Sequence, residues 1–439
     1  MTESYSSLID LYIDTYGGSE PPECFQRWSF ITGLSSILGR RVFFQHGAFN
    51  LYPTIYAILI GIPGTRKSTA IKQLKKLVQQ AGYDRFAADK TTKEKFLVDL
   101  DGTHEDQEEA EKKDKTNICL DNLFKGSNDF GGEDSNREIF ICSDEFYDFI
   151  GSQNIDFISL LGNLWDYTGV FEYKIRHGKK VVIPEPTVSL LGGCTFETFS
   201  MAFPAAVLGQ GFLSRLLMVY SEPTGRKITW PTPPDGDKLG VLASAISIPL
   251  NLLKHESLQL FPSADAMTVL DELYREWEDL KDPRLRNYSN RRFSHLLKVA
   301  QVCFIARALL HFPDKIVPSS SLSVEAVDVI AANTYLSAIE QNMPKALGEF
   351  GRSKHSAVQQ TILEYMRGLS GPCDGRDLWK VVSRDLDDTK QLPPILQGMQ
   401  AADLIYYVHD QGWYAVARKS QFEKHVNLDL LSDSEKRMI

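Results

Sequence analysis

The segment Gly61-Ile62-Pro63-Gly64-Thr65-Arg66-Lys67-Ser68-Thr69 constrains this chain more than any other. An apolar run, Ile55-Tyr56-Ala57-Ile58-Leu59-Ile60, leads into it, and the residues after it predict a helix over Ser68 to Ala81. Strand, glycine loop, Lys-Ser and helix, in that order, is the layout that holds a nucleoside triphosphate. Backbone N–H groups of the loop and the helix start surround the phosphates. The lysine reaches the β and γ oxygens, and the serine hydroxyl joins the Mg²⁺ shell. The expected ligands are ATP and Mg²⁺. The expected nucleotide contacts are Gly61, Pro63, Gly64, Thr65, Arg66, Lys67, Ser68 and Thr69. One departure stands out: the usual loop has glycine directly before the lysine, and here that position is Arg66.

A chain of 439 residues has room for two or three domains with a sizeable core. Its hydrophobic content of 43% and charged content of 24% are those of an ordinary soluble globular protein. No apolar stretch reaches membrane-spanning length, so no membrane partner is expected. The start, Met1-Thr2-Glu3-Ser4, has no basic region followed by an apolar one, so no secretory signal is read. The six cysteines are scattered without CxxC spacing, which points to reduced thiols in a cytoplasmic protein and away from a zinc site. The net charge of −9 is concentrated in one place: residues 99–137 hold 12 Asp/Glu against 5 Lys/Arg. The remainder is nearly neutral, so charge alone neither supports nor excludes nucleic-acid binding.

Along the chain, residues 1–50 read as a mostly helical N-terminal segment, with a short strand over Arg41 to Gln45. A nucleotide-binding core spans 51–229, interrupted by the acidic segment 99–137, read as a mobile surface insertion. Further strands are expected over Ile139 to Ser143, Phe171 to Ile175, Lys179 to Ile183, Thr187 to Leu191 and Leu216 to Tyr220. Apolar strands alternating with helical stretches predict a largely parallel α/β sheet. Trp230-Pro231-Thr232-Pro233-Pro234 reads as a linker into a helical lid region over 230–350. Residues 351–420 give helix, short helix, helix and an aromatic hairpin, the order of a winged-helix domain, and 421–439 form a tail.

Several residues are candidates for chemistry. Ile139 to Ser143 ends in Asp144-Glu145. In a phosphate-loop ATPase the first carboxylate positions the metal shell, with Ser68, and the second polarises the attacking water. A strand ending at a polar surface turn is the plainer alternative. Thr195, at the end of another buried-type strand, offers a hydroxyl to water or phosphate. A helix N-cap explains it equally well. Arg215, just before the strand Leu216 to Tyr220, suits a finger into a neighbouring subunit's nucleotide; a surface arginine is the rival. Arg291 and Arg292 open a helix, and one of them, Arg292 by preference, suits contact with phosphate from above. Surface charges at a helix start are the alternative. The hairpin 171–183 gathers Lys174, Arg176, His177, Lys179 and Lys180 near its tip. Those residues suit a phosphate backbone, although basic hairpins also serve solubility. The helix expected over Thr389 to Ala402 offers Lys390, Gln391 and Gln397, but Asp387 and Asp388 precede it, so it is no convincing base-reading face.

The loop Gly-Ile-Pro-Gly-Thr-Arg-Lys-Ser, the Ser-Asp-Glu-Phe after the carboxylate strand and Leu-Ser-Arg-Leu occur in the order used by AAA+ ATPases. They resemble most the minichromosome-maintenance helicases, which also lack the last loop glycine. The chain is similar as well to a phage- and prophage-borne family of helicase-like ATPases, often fused to primases. The Arg-Lys-Ser loop ending, Leu-Leu-Gly-Gly and Gly-Phe-Leu-Ser-Arg carry that similarity, over roughly residues 25–310. The resemblance implies an AAA+ type core, a helical lid, a winged helix and a homo-oligomeric ring, a hexamer, that translocates on DNA. Single-stranded DNA would engage the hairpin, and loading would depend on a primase or loader partner. The first-sensor asparagine of that group is absent at Cys194-Thr195, and residues 1–50 read as too short for that group's N-terminal DNA-binding domain. Two other readings use the same site: a nucleotide-switched assembly ATPase, such as a loader or defence-system sensor, without unwinding, and a scaffold with slow or no hydrolysis.

Overall fold

The strand that leads into the Gly61 to Thr69 loop lies inside a four-stranded, all-parallel sheet, and that sheet organises most of the molecule. The computed structural model describes residues 5–102, 137–174, 180–203, 211–253, 256–318, 320–348, 354–369, 371–386, 388–401, 404–409, 411–415 and 425–436. Residues 103–136 of the acidic insertion lie outside them, as do Arg176, His177 and Lys179 of the hairpin.

In chain order the strands are β1 (Val42–His46), β2 (Phe49–Leu51), β3 (Tyr56–Ile60), β4 (Glu138–Ser143), β5 (Val170–Lys174) and β6 (Lys180–Pro184). They continue with β7 (Thr187–Cys194), β8 (Leu216–Tyr220), β9 (Leu258–Pro262), β10 (Ser321–Val324), β11 (Ile405–Val408) and β12 (Gly412–Ala415). The parallel sheet has the order β4-β7-β3-β8, and every residue of β3, β4 and β7 is buried. Strands covered on both faces need continuous apolar runs, which is what made them readable. A second sheet, β10-β9-β1-β2, is mixed: β9 runs parallel to β1 and β10, while β2 is antiparallel to β1. Strands β5 and β6 form a separate antiparallel hairpin.

The chain divides into two compact units, residues 1–346 with 424–439, and residues 347–423. This division does not follow the sequence boundaries at 50/51 and 229/230. The reason lies in the helices α1 (Leu8–Tyr16) and α2 (Glu23–Leu38). All of α2 is buried apart from its first residue, so it belongs to the core rather than to a separate segment. It packs on the helix after the phosphate loop, α3 (Lys67–Gln80). Gly33 permits that approach, since a Cβ there would meet Leu74 Cδ1 at 2.5 Å. The tail also belongs to this unit: Glu435 pairs with the buried Arg27 at 2.5 Å, and Asn427 N donates to Thr334 Oγ1.

The helix Arg292–His311 is long and apolar enough to cross a membrane, yet most of it is buried inside this unit, against the helix Ala326–Glu340. It is the one such helix among the described residues.

The smaller unit contains the helices Lys354–Arg367, Gly375–Val382 and Leu392–Ala401 and the hairpin β11–β12. The helix expected over Thr389 to Ala402 is divided into a 3₁₀ turn, Thr389–Gln391, and the helix proper from Leu392. A core of Val358, Ile362, Leu378, Leu396, Met399 and Ile405 holds these elements together.

Candidate functional site

Parallel strands leave all their C-terminal ends on one edge of a sheet, and ligands of open α/β sheets sit beyond that edge. Gly61 follows β3 there. A Cβ at Gly61 would lie 2.8 Å from the Ser221 carbonyl and 2.8 Å from Thr65 Oγ1, so only glycine fits. The Thr65 hydroxyl donates to the Ile62 carbonyl at 2.8 Å and tightens the loop. Arg66 is the N-cap of α3, with φ of 63°. A left-handed conformation costs a residue with a Cβ about 1 kcal/mol or more, which is why glycine is usual at this place. Its guanidinium is held by Glu20, Nε to Oε2 at 2.5 Å, and Glu20 also accepts from the Ile228 N–H at 2.9 Å. The Ile228 hydrogen bond first, and then Arg66, keep the Glu20 carboxyl below the usual range.

Lys67 is 8% exposed and folds back on the loop. Its Nζ donates to the carbonyls of Gly61 (2.8 Å) and Ile62 (3.1 Å) and to Thr65 Oγ1 (3.1 Å). These three partners are neutral oxygens. Burial lowers the lysine's pKa, and the nearby carboxylates, Glu145 and then Glu197, act against that shift. Ser68 and Thr69 follow in the first turn of α3, Ser68 half-buried and Thr69 exposed.

Strand β4 carries Asp144 and Glu145 to the same edge, where Asp144 Oδ2 pairs with Lys72 Nζ of α3 at 2.7 Å. Strand β7 lies close enough that a Cβ on Gly193 would meet the Asp144 carbonyl at 2.5 Å. Thr195 follows β7 and is the N-cap of the helix Phe196–Ala202. Its hydroxyl accepts from Thr198 N at 3.2 Å, and its N–H donates to Thr198 Oγ1 at 2.8 Å. The capping role is thus the one visible for Thr195. Two residues on is Glu197, which the sequence reading missed. Its own N–H, the Thr195 hydroxyl and Lys67 hold its carboxyl below the usual range. A carboxylate in the first turn after the end of β7 was the available signal.

Arg215 is elsewhere. Register pairs Tyr56 with Leu216 and Ile60 with Tyr220, so Arg215 precedes β8 at the N-terminal edge of the sheet. At about 3.3 Å per residue, it lies on the order of 20 Å from the level of Gly61. One chain therefore does not bring Arg215 to its own Lys67. Arg215 Nη1 donates to the Gly211 carbonyl at 2.6 Å, and its guanidinium stands 5.7 Å from the Trp165 ring. Arg291 stands over the same ring at 5.7 Å. Burial, and then the neighbouring Arg291, lower the Arg215 pKa.

The expected phosphate contact from Arg292 is corrected. That side chain is 2% exposed, bonds to Glu340 Oε1 at 3.0 Å and Asn333 Oδ1 at 2.6 Å, and lies over Trp277. Its guanidinium is committed inside the fold. Lys174 and Lys180 end the paired part of the basic hairpin, and Lys180 is already paired with Glu172 at 2.7 Å.

A cavity of about 510 Å³ adjoins the loop, lined by Tyr16, Pro21, Arg66, Gln73, Ile228 and Pro231 among others. The buried side-chain oxygen of Gln73 accepts no hydrogen bond from the described residues.

Among the described residues no group of three His, Cys, Asp or Glu is assembled around a metal position. The Ser68 hydroxyl and Asp144 carboxylate are hard oxygen donors, and Asp144 already faces a cation, Lys72. That donor set suits Mg²⁺, which binds through one or two protein oxygens and the nucleotide's phosphates.

No protein-family model matches the chain, and no curated protein matches it.

Proposed function

We propose that the chain is an ATP-hydrolysing, ring-forming DNA translocase or helicase of a phage or mobile-element replication system, built on an AAA+ type core with a winged-helix unit at 347–423. The reading rests on the meeting of Lys67, Asp144 and Glu145 at one edge of the parallel sheet. Lys67 exchanges neutral oxygens for phosphate, Ser68 and Asp144 hold Mg²⁺, and Glu145 orients water for attack on the γ-phosphorus. The cavity beside the loop takes the base and sugar, and Gln73 offers an acceptor for an exocyclic amino group. Arg215 acts on a neighbour's nucleotide, because it is too distant from its own loop, and head-to-tail contacts of that kind close into rings.

The test is ATP turnover with and without single-stranded DNA, for the wild type and for a Lys174/Arg176/Lys179/Lys180 quadruple alanine variant. Stimulation by DNA that the variant loses supports the motor. A second reading, a nucleotide-switched assembly ATPase in the cytoplasm, is favoured by the Lys180–Glu172 pair, which reduces the hairpin's positive charge. Turnover indifferent to DNA in both proteins would select it.

A further inference from the structure

The unit 347–423 carries a cavity that the ATPase reading leaves unused. Its volume is about 810 Å³, within the usual range of ligand sites. It opens between the helices Gly375–Val382 and Leu392–Ala401 and the hairpin β11–β12. Its walls are Trp379, Leu392, Leu396, Tyr407 and Trp413. Tyr407 is 50% exposed, with its ring 5.0 Å from Trp413 and tilted by 59°. Aromatic and aliphatic surface left open in a concave site is where large apolar side chains anchor.

Among the described residues that line the cavity, the charged ones are both cationic: Arg376 and Lys380, one turn apart. The carboxylates nearest in sequence have other duties. Asp374 caps its helix, accepting from the N–H groups of Arg376 (2.8 Å) and Asp377 (2.9 Å). Asp388 accepts from Lys390 N at 3.1 Å. Asp377 pairs with Lys380 at 2.9 Å, but the lysine is 74% exposed, and an exposed pair exchanges partners readily. Two cations above apolar walls do not track a phosphate backbone, and tilted rings do not make a parallel slot for a base. A polypeptide fits better.

We infer that this cavity docks a short amphipathic segment of another protein. Its apolar side chains would enter between Trp379, Tyr407 and Trp413, and a flanking carboxylate would pair with Arg376 and displace Asp377 from Lys380. The inference is independent of the ATPase reading.

The test uses the full chain and a fluorescein-labelled peptide of about twelve residues, with Leu and Phe at helical spacing among Glu and Ala. The controls are the same peptide with its anchors changed to Ala, the same peptide with Lys for Glu, and labelled oligothymidine. Anisotropy should show binding of the acidic anchored peptide alone. Arg376→Glu with Lys380→Glu should weaken it at least tenfold and turn preference to the Lys peptide. Tyr407→Ala should weaken both. All three positions are exposed, so these variants should keep the wild-type circular dichroism and ATP turnover. Equal binding of the anchorless peptide, or indifference to charge reversal, would overturn the inference. Tighter binding of oligothymidine, lost in the same variants, would make the cavity a nucleic-acid site instead.

Discussion

The two ends of the parallel sheet are both rich in charge, and they use it in opposite ways. At the N-terminal edge every strand start is tied to a cationic or ring side chain from elsewhere in the chain. Arg41 makes two bonds to Glu138 at the start of β4, at 2.8 and 2.7 Å. Arg40 donates to Thr187 Oγ1 at the start of β7 and pairs with Glu185. Lys298 donates to the Tyr52 carbonyl, Thr54 Oγ1 and Asp166 before β3. His295 donates to the Ser214 carbonyl before β8. At the C-terminal edge the strands run out into loops, and among the described residues Lys67 is held by neutral oxygens. Buried cations with carboxylate partners hold a fold together. A buried cation on neutral oxygens is free to trade them for a stronger anion.

This contrast predicts different losses at the two edges. Lys67→Ala should lower ATP turnover about a thousandfold, roughly 4 kcal/mol in transition-state terms, with little change in urea resistance. Steady-state kinetics beside urea melts would show it, and surviving turnover would remove Lys67 from the site. Lys298→Ala should do the reverse. It should cost about 3 kcal/mol of stability, towards the low end for buried pairs because Asp166 keeps 26% exposure, and leave nucleotide affinity intact. Glu145→Gln should bind ATP as the wild type does and hydrolyse it about a hundredfold more slowly. Mixed with Arg215→Ala it should regain turnover, since each partner repairs the other's defect; an assembled mixture without recovery would count against a shared site.

A further effect concerns pH. Burial above all lowers the His295 pKa to about 3, so the folded chain keeps this ring neutral while the unfolded chain protonates near 6.5. Its contribution is complete above pH 6.5 and is lost as pH falls towards 3, by up to about 1.4 kcal/mol per unit. His295→Gln keeps an N–H for Ser214 and should flatten the acid limb of a stability–pH curve. An unchanged slope would assign acid sensitivity to other groups.

How much of this was legible follows from the same contrast. Strands β3 and β8 are unbroken apolar runs, β4 and β7 are mostly apolar with Glu138, Ser143, Thr187 and Ser189 among them, and Leu216–Tyr220 has the bounds that the sequence suggests. The mixed sheet was largely missed. Strand β2 has three residues, β10 has four with two serines, and β9 is only partly buried, too little for a period to register. The loop around Lys67 was readable as a motif because its partners Gly61, Ile62 and Thr65 are near in sequence, whereas Asp144 was readable only from its place after an apolar strand, since its partner Lys72 lies far upstream. Arg292 was not. Neighbours on a helix point about 100° apart, and what decided that Arg292 faces inward was Glu340, 48 residues later. Glu197 was hidden by the more obvious hydroxyl of Thr195.

One bond gives the molecule a timetable. Arg27 is buried in α2, and its carboxylate partner, Glu435, is 408 residues further on. Synthesis at about 5–20 residues per second puts roughly 20 to 80 seconds between the two. Throughout that interval the nascent chain holds a guanidinium that cannot enter the core without charge compensation. Completion of the larger unit therefore waits until the turn that carries Glu435 has been made.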